Sequence, residues 1–215
     1  MLSAQTTSAI LLGLLLVAGC ATTVEEHVAA QRSAKPCCLN LEGLPGPQAL
    51  QLGKRHELTF ESPHYDFGFG LSPFVTFATE GLQKKTVRIK VHPRGSGLLL
   101  GGDGNTRILD AKVVFLDQIG VQIVPAVELK WTGREYRGLT EDYELYAEFE
   151  VPESARKLII GSSSTRLGSS SSTRFQSQGS VLAVSGVFLN IPAGQTVRKF
   201  MLSSYGEFSL YESVK

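Results

Sequence analysis

An excess of charge of either sign is missing from this 215-residue chain, in which 21 lysines and arginines face 20 aspartates and glutamates for a formal net charge of +1. So balanced a chain has no field to gather phosphates, and nucleic acid is not an expected partner. Cysteine is scarce, at three residues of which two are adjacent, so no set of spaced pairs is available for zinc and no metal or cofactor is expected. Long apolar runs are lacking too. The strongest, residues 10–17, covers eight positions, whereas a membrane-spanning helix needs roughly 20. Catalytic signatures are likewise missing. There is no G-x-S-x-G and no H-E-x-x-H, and the glycine-rich stretch 95–105 lacks the G-K-[ST] ending of a phosphate loop, which leaves it as tight turns. The S-x-x-K at Ser154 and Lys157 follows a proline and precedes an apparent strand, so its two ends do not share a helical face.

The chain does have enough apolar content for a core. It is 42% hydrophobic, and a single domain of this length buries roughly 70% of its unfolded surface. Residues 1–19 carry no charged side chain and have the length of a signal-peptide apolar region. The segment Leu16-Val17-Ala18-Gly19-Cys20 then resembles the bacterial lipobox, in which small residues admit a peptidase to the bond before an acylated cysteine. That resemblance implies cleavage after residue 19 and lipidation of Cys20. Ala21, standing where an aspartate would favour inner-membrane retention, implies the outer membrane, with the body on its periplasmic face. Several acyl chains make such attachment effectively permanent, at about 0.8 kcal/mol per buried methylene. Cys37 and Cys38 remain as a candidate disulfide or thiol pair.

Three regions follow: the leader 1–19, a lipidated tether 20–47 and a β-domain 48–215. The tether has one helical signal, with Thr22 or Thr23 as cap, Glu26 as capping-box acid and Val24 and Val28 one turn apart. Pro36 and Leu44-Pro45-Gly46-Pro47 end it. From residue 55 the period becomes two. Tyr143, Leu145, Ala147, Phe149 and Val151 alternate with Glu144, Tyr146, Glu148 and Glu150, while Val87, Ile89 and Val91 alternate with Arg88, Lys90 and His92, so the two outer faces could pair. The unbroken run Val113-Val114-Phe115-Leu116 reads as a strand covered on both faces. Strands at this spacing predict an all-β antiparallel sandwich of roughly eight to ten strands. The serine-rich stretch 161–180 is expected to be a mobile surface loop.

Two sets of residues invite function. Trp131, Tyr136, Tyr143 and Tyr146 are candidate contacts for a carbohydrate or a partner protein, since aromatic faces cover the apolar side of a sugar ring. His64 and Asp66, two apart on one side of a strand, could form a base and its orienting acid in a glycan hydrolase. The aromatic series Tyr65, Phe67, Phe69, Phe74 and Phe77 is what a sandwich core requires.

The order of segments between residues 106 and 167 is similar to the maltose operon periplasmic protein (MalM) family. An apolar strand ends in Val114-Phe115-Leu116-Asp117-Gln118, a link passes through Pro125, an acidic strand runs to Val151, and Arg156-Lys157-Leu158-Ile159-Ile160-Gly161 leads into a Ser/Thr segment. The stretch Phe200-Met201-Leu202-Ser203-Ser204-Tyr205-Gly206-Glu207-Phe208-Ser209-Leu210 resembles that family's closing strand pair, and Pro36-Cys37-Cys38 its lipoprotein members. The resemblance implies an exported, non-catalytic protein associated with carbohydrate (maltodextrin) uptake, with no catalytic residues to transfer. A structural or assembly lipoprotein without a small ligand is the alternative.

Overall fold

The computed structural model describes residues 24–93, 106–123, 127–136, 142–163, 165–178, 180–184, 187–191 and 194–213. Cys20, the leader and the glycine-rich stretch 95–105 lie outside the described residues.

Helix α1 (Val24–Ser33) is the first element of the described residues. After it come β1 (Arg55–Leu58), β2 (His64–Asp66), β3 (Leu71–Ala78), β4 (Thr86–His92), β5 (Arg107–Leu109) and β6 (Ala111–Leu116). The second half supplies β7 (Thr132–Tyr136), β8 (Asp142–Glu150), β9 (Lys157–Ser162), β10 (Ser170–Gln178), β11 (Ser180–Val184), β12 (Val187–Ile191), β13 (Gly194–Ser203) and β14 (Gly206–Glu212). The architecture is an all-β sandwich, with fourteen strands in the described residues where spacing predicted eight to ten.

The large sheet has the order β1-β14-β4-β8-β7-β10-β13-β5, the small one β2-β3-β9-β6, and β11 and β12 form a separate hairpin. Pairing is antiparallel except for β7 with β10 and β5 with β13, which run parallel. The large sheet curls until β14 touches β5, and Gly206 permits that approach, because a Cβ there would stand 3.3 Å from Leu109 Cβ. Only Asp110 separates β5 from β6, so one stretch of chain serves the large sheet and then the small one.

The alternation seen in the sequence sorts the layers. Val87, Ile89 and Val91 of β4, Leu145, Ala147 and Phe149 of β8, and Phe208 and Leu210 of β14 meet Phe77, Val113, Phe115, Leu158 and Ile160 of the small sheet in the main core. The opposite face of β4 pairs with β8 as its charges suggested: Arg88 sits opposite Glu148 in register and bonds its carboxylate at 2.8 Å.

The small sheet is also buried on its second face, where Phe74, Val114, Leu116 and Ile159 lie under Phe67 and Leu44, with Cys38, Leu41, Tyr65 and Phe69 packed alongside. This corrects the expected boundary at residue 47. The stretch from Cys38 to Leu44 is part of the folded body, because β6 and β9 present apolar side chains on both faces and something must cover the outer one. Gln48 fastens the far end of this strap to β3, donating from its backbone to Thr76 O and accepting from Ala78 N. Helix α1 also docks on the body, through the buried Gln31, whose side-chain amide bonds Leu71 O.

The expected loop 161–180 is corrected as well. Ser170–Gln178 is a strand, pairing with β13 on one side and β7 on the other. A strand whose two neighbours satisfy its backbone needs no apolar alternation of its own, and serine therefore hides it from a pattern search. Strands β11 and β12 pair antiparallel, with Ser180 opposite Ile191 and Val184 opposite Val187.

Candidate functional site

Three of the four candidate aromatic residues lie on neighbouring strands, Tyr136 on β7 and Tyr143 and Tyr146 on β8, and Trp131 immediately precedes β7. The register sets Thr132 opposite Tyr146 and Tyr136 opposite Asp142. Tyr136 and Tyr146 thus share one alternation of the sheet and Tyr143 takes the other. The side chains of Tyr136 and Tyr143 lie outside what is described. Tyr146 is buried, and the Arg88 guanidinium covers its ring, 4.4 Å from the centroid. Trp131 is half-buried against the main core. Both rings therefore do packing work, the tyrosine through a cation–π contact and the tryptophan through apolar burial. A depression of about 600 Å³ lies elsewhere, lined by Ala78, Glu80, Gln83, Glu153 and Arg156.

His64 and Asp66 both fall on β2 but have different surroundings. His64 is buried, its Nε2 3.3 Å from Tyr205 Oη, whose own pKa burial pushes up to about 12. Asp66 is exposed, and its Oδ1 accepts the backbone N–H groups of Gly68 and Gly70. That carboxylate shapes the turn into β3, and the histidine faces the interior, so the two are not arranged as base and orienter.

The aromatic series from Tyr65 packs as expected of core residues, with Phe67 edge-on to Phe74 at 5.2 Å and stacked on Phe69 at 5.8 Å. Among the described residues no group of three or more His, Cys, Asp or Glu could hold a metal ion, and no helix is long and apolar enough to cross a membrane.

Two further features stand out, the first a pair that the sequence already offered and the second one that sequence reading missed. Cys37 and Cys38 form a vicinal disulfide on the strap. Asp110, whose side chain is 2% exposed, receives Arg166 as a fork, Nη2 to Oδ1 and Nε to Oδ2 at 3.2 Å. Asp110 and Arg166 stand 56 residues apart, beyond any local pattern.

His64 and His56 share an electrostatic signature. His56 points inward from β1 between Phe77 and Phe208, at ring distances of 4.8 and 5.5 Å. Burial lowers the basicity of both rings, opposed in part by backbone hydrogen bonds from the rings and reinforced at His56 by Lys54. A folded-state pKa below the unfolded value of about 6.5 leaves stability intact above that pH and erodes it as pH falls further. Urea midpoints should accordingly be level from pH 8 to 7 and decline from pH 6.5 to 5, and His64→Gln should flatten part of that decline. A midpoint that rises toward pH 5 in the wild type would contradict the assignment.

Comparison of the chain with protein-family models, with curated protein sequences and with solved structures finds no match in any of the three.

Proposed function

We propose that the chain is a bacterial lipoprotein, held by acyl chains on Cys20 at the periplasmic face of the outer membrane. Its β-sandwich acts there as a non-catalytic binding or accessory protein. The observation that carries this reading is the apolar, uncharged leader closing on Leu16-Val17-Ala18-Gly19-Cys20. The resemblance to the MalM family adds carbohydrate uptake, with maltodextrin as the first ligand to try and an envelope protein or glycan as partner. The buried Tyr146 and the packed Trp131 favour a second reading, an assembly lipoprotein that contacts another envelope protein without a small ligand.

The test is expression of the full chain in a bacterium fed labelled palmitate, followed by fractionation and mass spectrometry of the N-terminus. Wild-type protein should begin at an acylated Cys20 and sediment with outer membrane, and Cys20→Ala should lose the label and the membrane association together. An intact Met1, or a mature N-terminus without fatty acid, would refute the anchor. Thermal denaturation with maltodextrins then separates the two readings, because a ligand held only by the native state raises the midpoint. An unchanged midpoint selects the assembly role.

A further inference from the structure

The Cys37–Cys38 bond cannot act as an ordinary staple. A disulfide stabilises chiefly by closing a loop of the unfolded chain, and here the bonded residues are adjacent, with no intervening loop to restrict. What the bond fixes is local, the course of the backbone where the strap begins. That point carries much of the strap's attachment. Cys37 donates its backbone N–H to His64 O at 2.8 Å, and Cys38 packs into the second core beside Leu41. Asn40 then caps the 3₁₀ turn Leu41–Gly43 by accepting Gly43 N, and Leu44 inserts beneath it. Cys37 itself is exposed, and the next residue outward, Leu39, is fully so at 103%. An exposed disulfide lies within reach of a reductant, and bonds of this kind are the labile, regulatory ones.

We propose that Cys37 and Cys38 are a redox latch on the strap: oxidised, they fix Cys37 and Cys38 against β2 and the small sheet, and reduced, they release the segment from Pro36 to Leu44. The co-reactant is a dithiol, either a small molecule or a dithiol oxidoreductase. Its thiolate attacks the sulfur of Cys37, the more exposed residue of the two, forming a mixed disulfide and expelling the Cys38 thiolate. The second reductant thiol then displaces Cys37 and closes the reductant's own disulfide. Two electrons pass to the protein, and each cysteine sulfur ends with one proton. Release would uncover Phe67, Phe74 and Leu116, and it would lengthen the free chain between α1 and the sandwich.

The experiment uses the full lipidated chain in detergent, incubated with graded dithiothreitol, with alkylation mass spectrometry to count thiols and hydrogen exchange to follow amides. Cys37 and Cys38 should resist alkylation before reduction and take two alkyl groups after it. Exchange at the amides of Cys37, Gly43 and Leu44 should then rise by about tenfold or more while β4, β8 and β14 stay unchanged. The variant Cys37→Ser/Cys38→Ser should exchange like the reduced protein and ignore the reductant. The latch is overturned if the cysteines alkylate without reductant, if reduction leaves strap exchange unchanged, or if the double variant still responds to dithiothreitol.

Discussion

Phe208→Ala should lower the unfolding free energy by about 3–5 kcal/mol, the range for deleting a large aromatic side chain from a core that cannot collapse into the space. Phe208 is fully buried on β14, in register with His56 of β1 on one side and Val91 of β4 on the other. Its ring stacks on His56 and meets Phe77 of the small sheet edge-on at 6.4 Å. The residue therefore joins neighbouring strands within one layer and bridges the gap between layers. Phe208→Leu keeps most of the apolar volume and should lose only about 1–1.5 kcal/mol. Equilibrium urea unfolding followed by the fluorescence of Trp131, the single tryptophan, checks both. A loss below 1 kcal/mol for the alanine variant would mean that Phe208 does not bridge the layers.

Stranding a charge in the interior without its partner should have an effect approaching that size. Asp110 is buried, and burial raises its pKa against the pull of Arg166 and Lys112. Arg166→Met leaves that carboxylate without its fork of donors, and removing one partner of a buried ion pair typically destabilises by about 3–5 kcal/mol. The arginine side chain is 52% exposed, so water takes over part of its role and the expected loss is about 2–3 kcal/mol at pH 7. The double variant Asp110→Asn/Arg166→Met should recover much of that loss, since no unpaired charge remains. The penalty should also shrink in acid: a raised carboxylate pKa makes the native state unfavourable while Asp110 is ionised and relieves it as pH falls through the folded-state value. Denaturant midpoints of the two single and one double variant at pH 7 and 5 decide the matter. If Arg166→Met behaves like the double variant at pH 7, the pair contributes nothing specific.

Where one face of a strand is wet and the other dry, the sequence states the structure openly. Val87, Ile89 and Val91 against Arg88, Lys90 and His92, set beside the outer face of β8, suggested the inner packing and a pairing of outer faces, of which the bond from Arg88 to Glu148 is an instance. The four-residue apolar run ending at Leu116 foretold a strand buried on both sides. Its second cover was hidden, because Cys38, Leu41 and Leu44 follow neither period and sit among prolines and glycines that suggest a linker. Strand β10 was hidden by serine, and the parallel pairings by their distance along the chain.

The candidate site divides in the same way. Composition drew attention to Trp131 and Tyr146, but only coordinates show Arg88 lying over the tyrosine ring. His64 and Asp66 are close in sequence, yet the partner of His64 is Tyr205, 141 residues away. Side-chain chemistry at long separation has no periodic trace.

The short interruption at Asp110 has a bearing on how this body comes apart. Because β5 and β6 form one rib shared by both layers, neither layer can peel off while the other stays whole. Loss of order in the small sheet drags on the rim of the large one, and heat or denaturant is met by a single cooperative block.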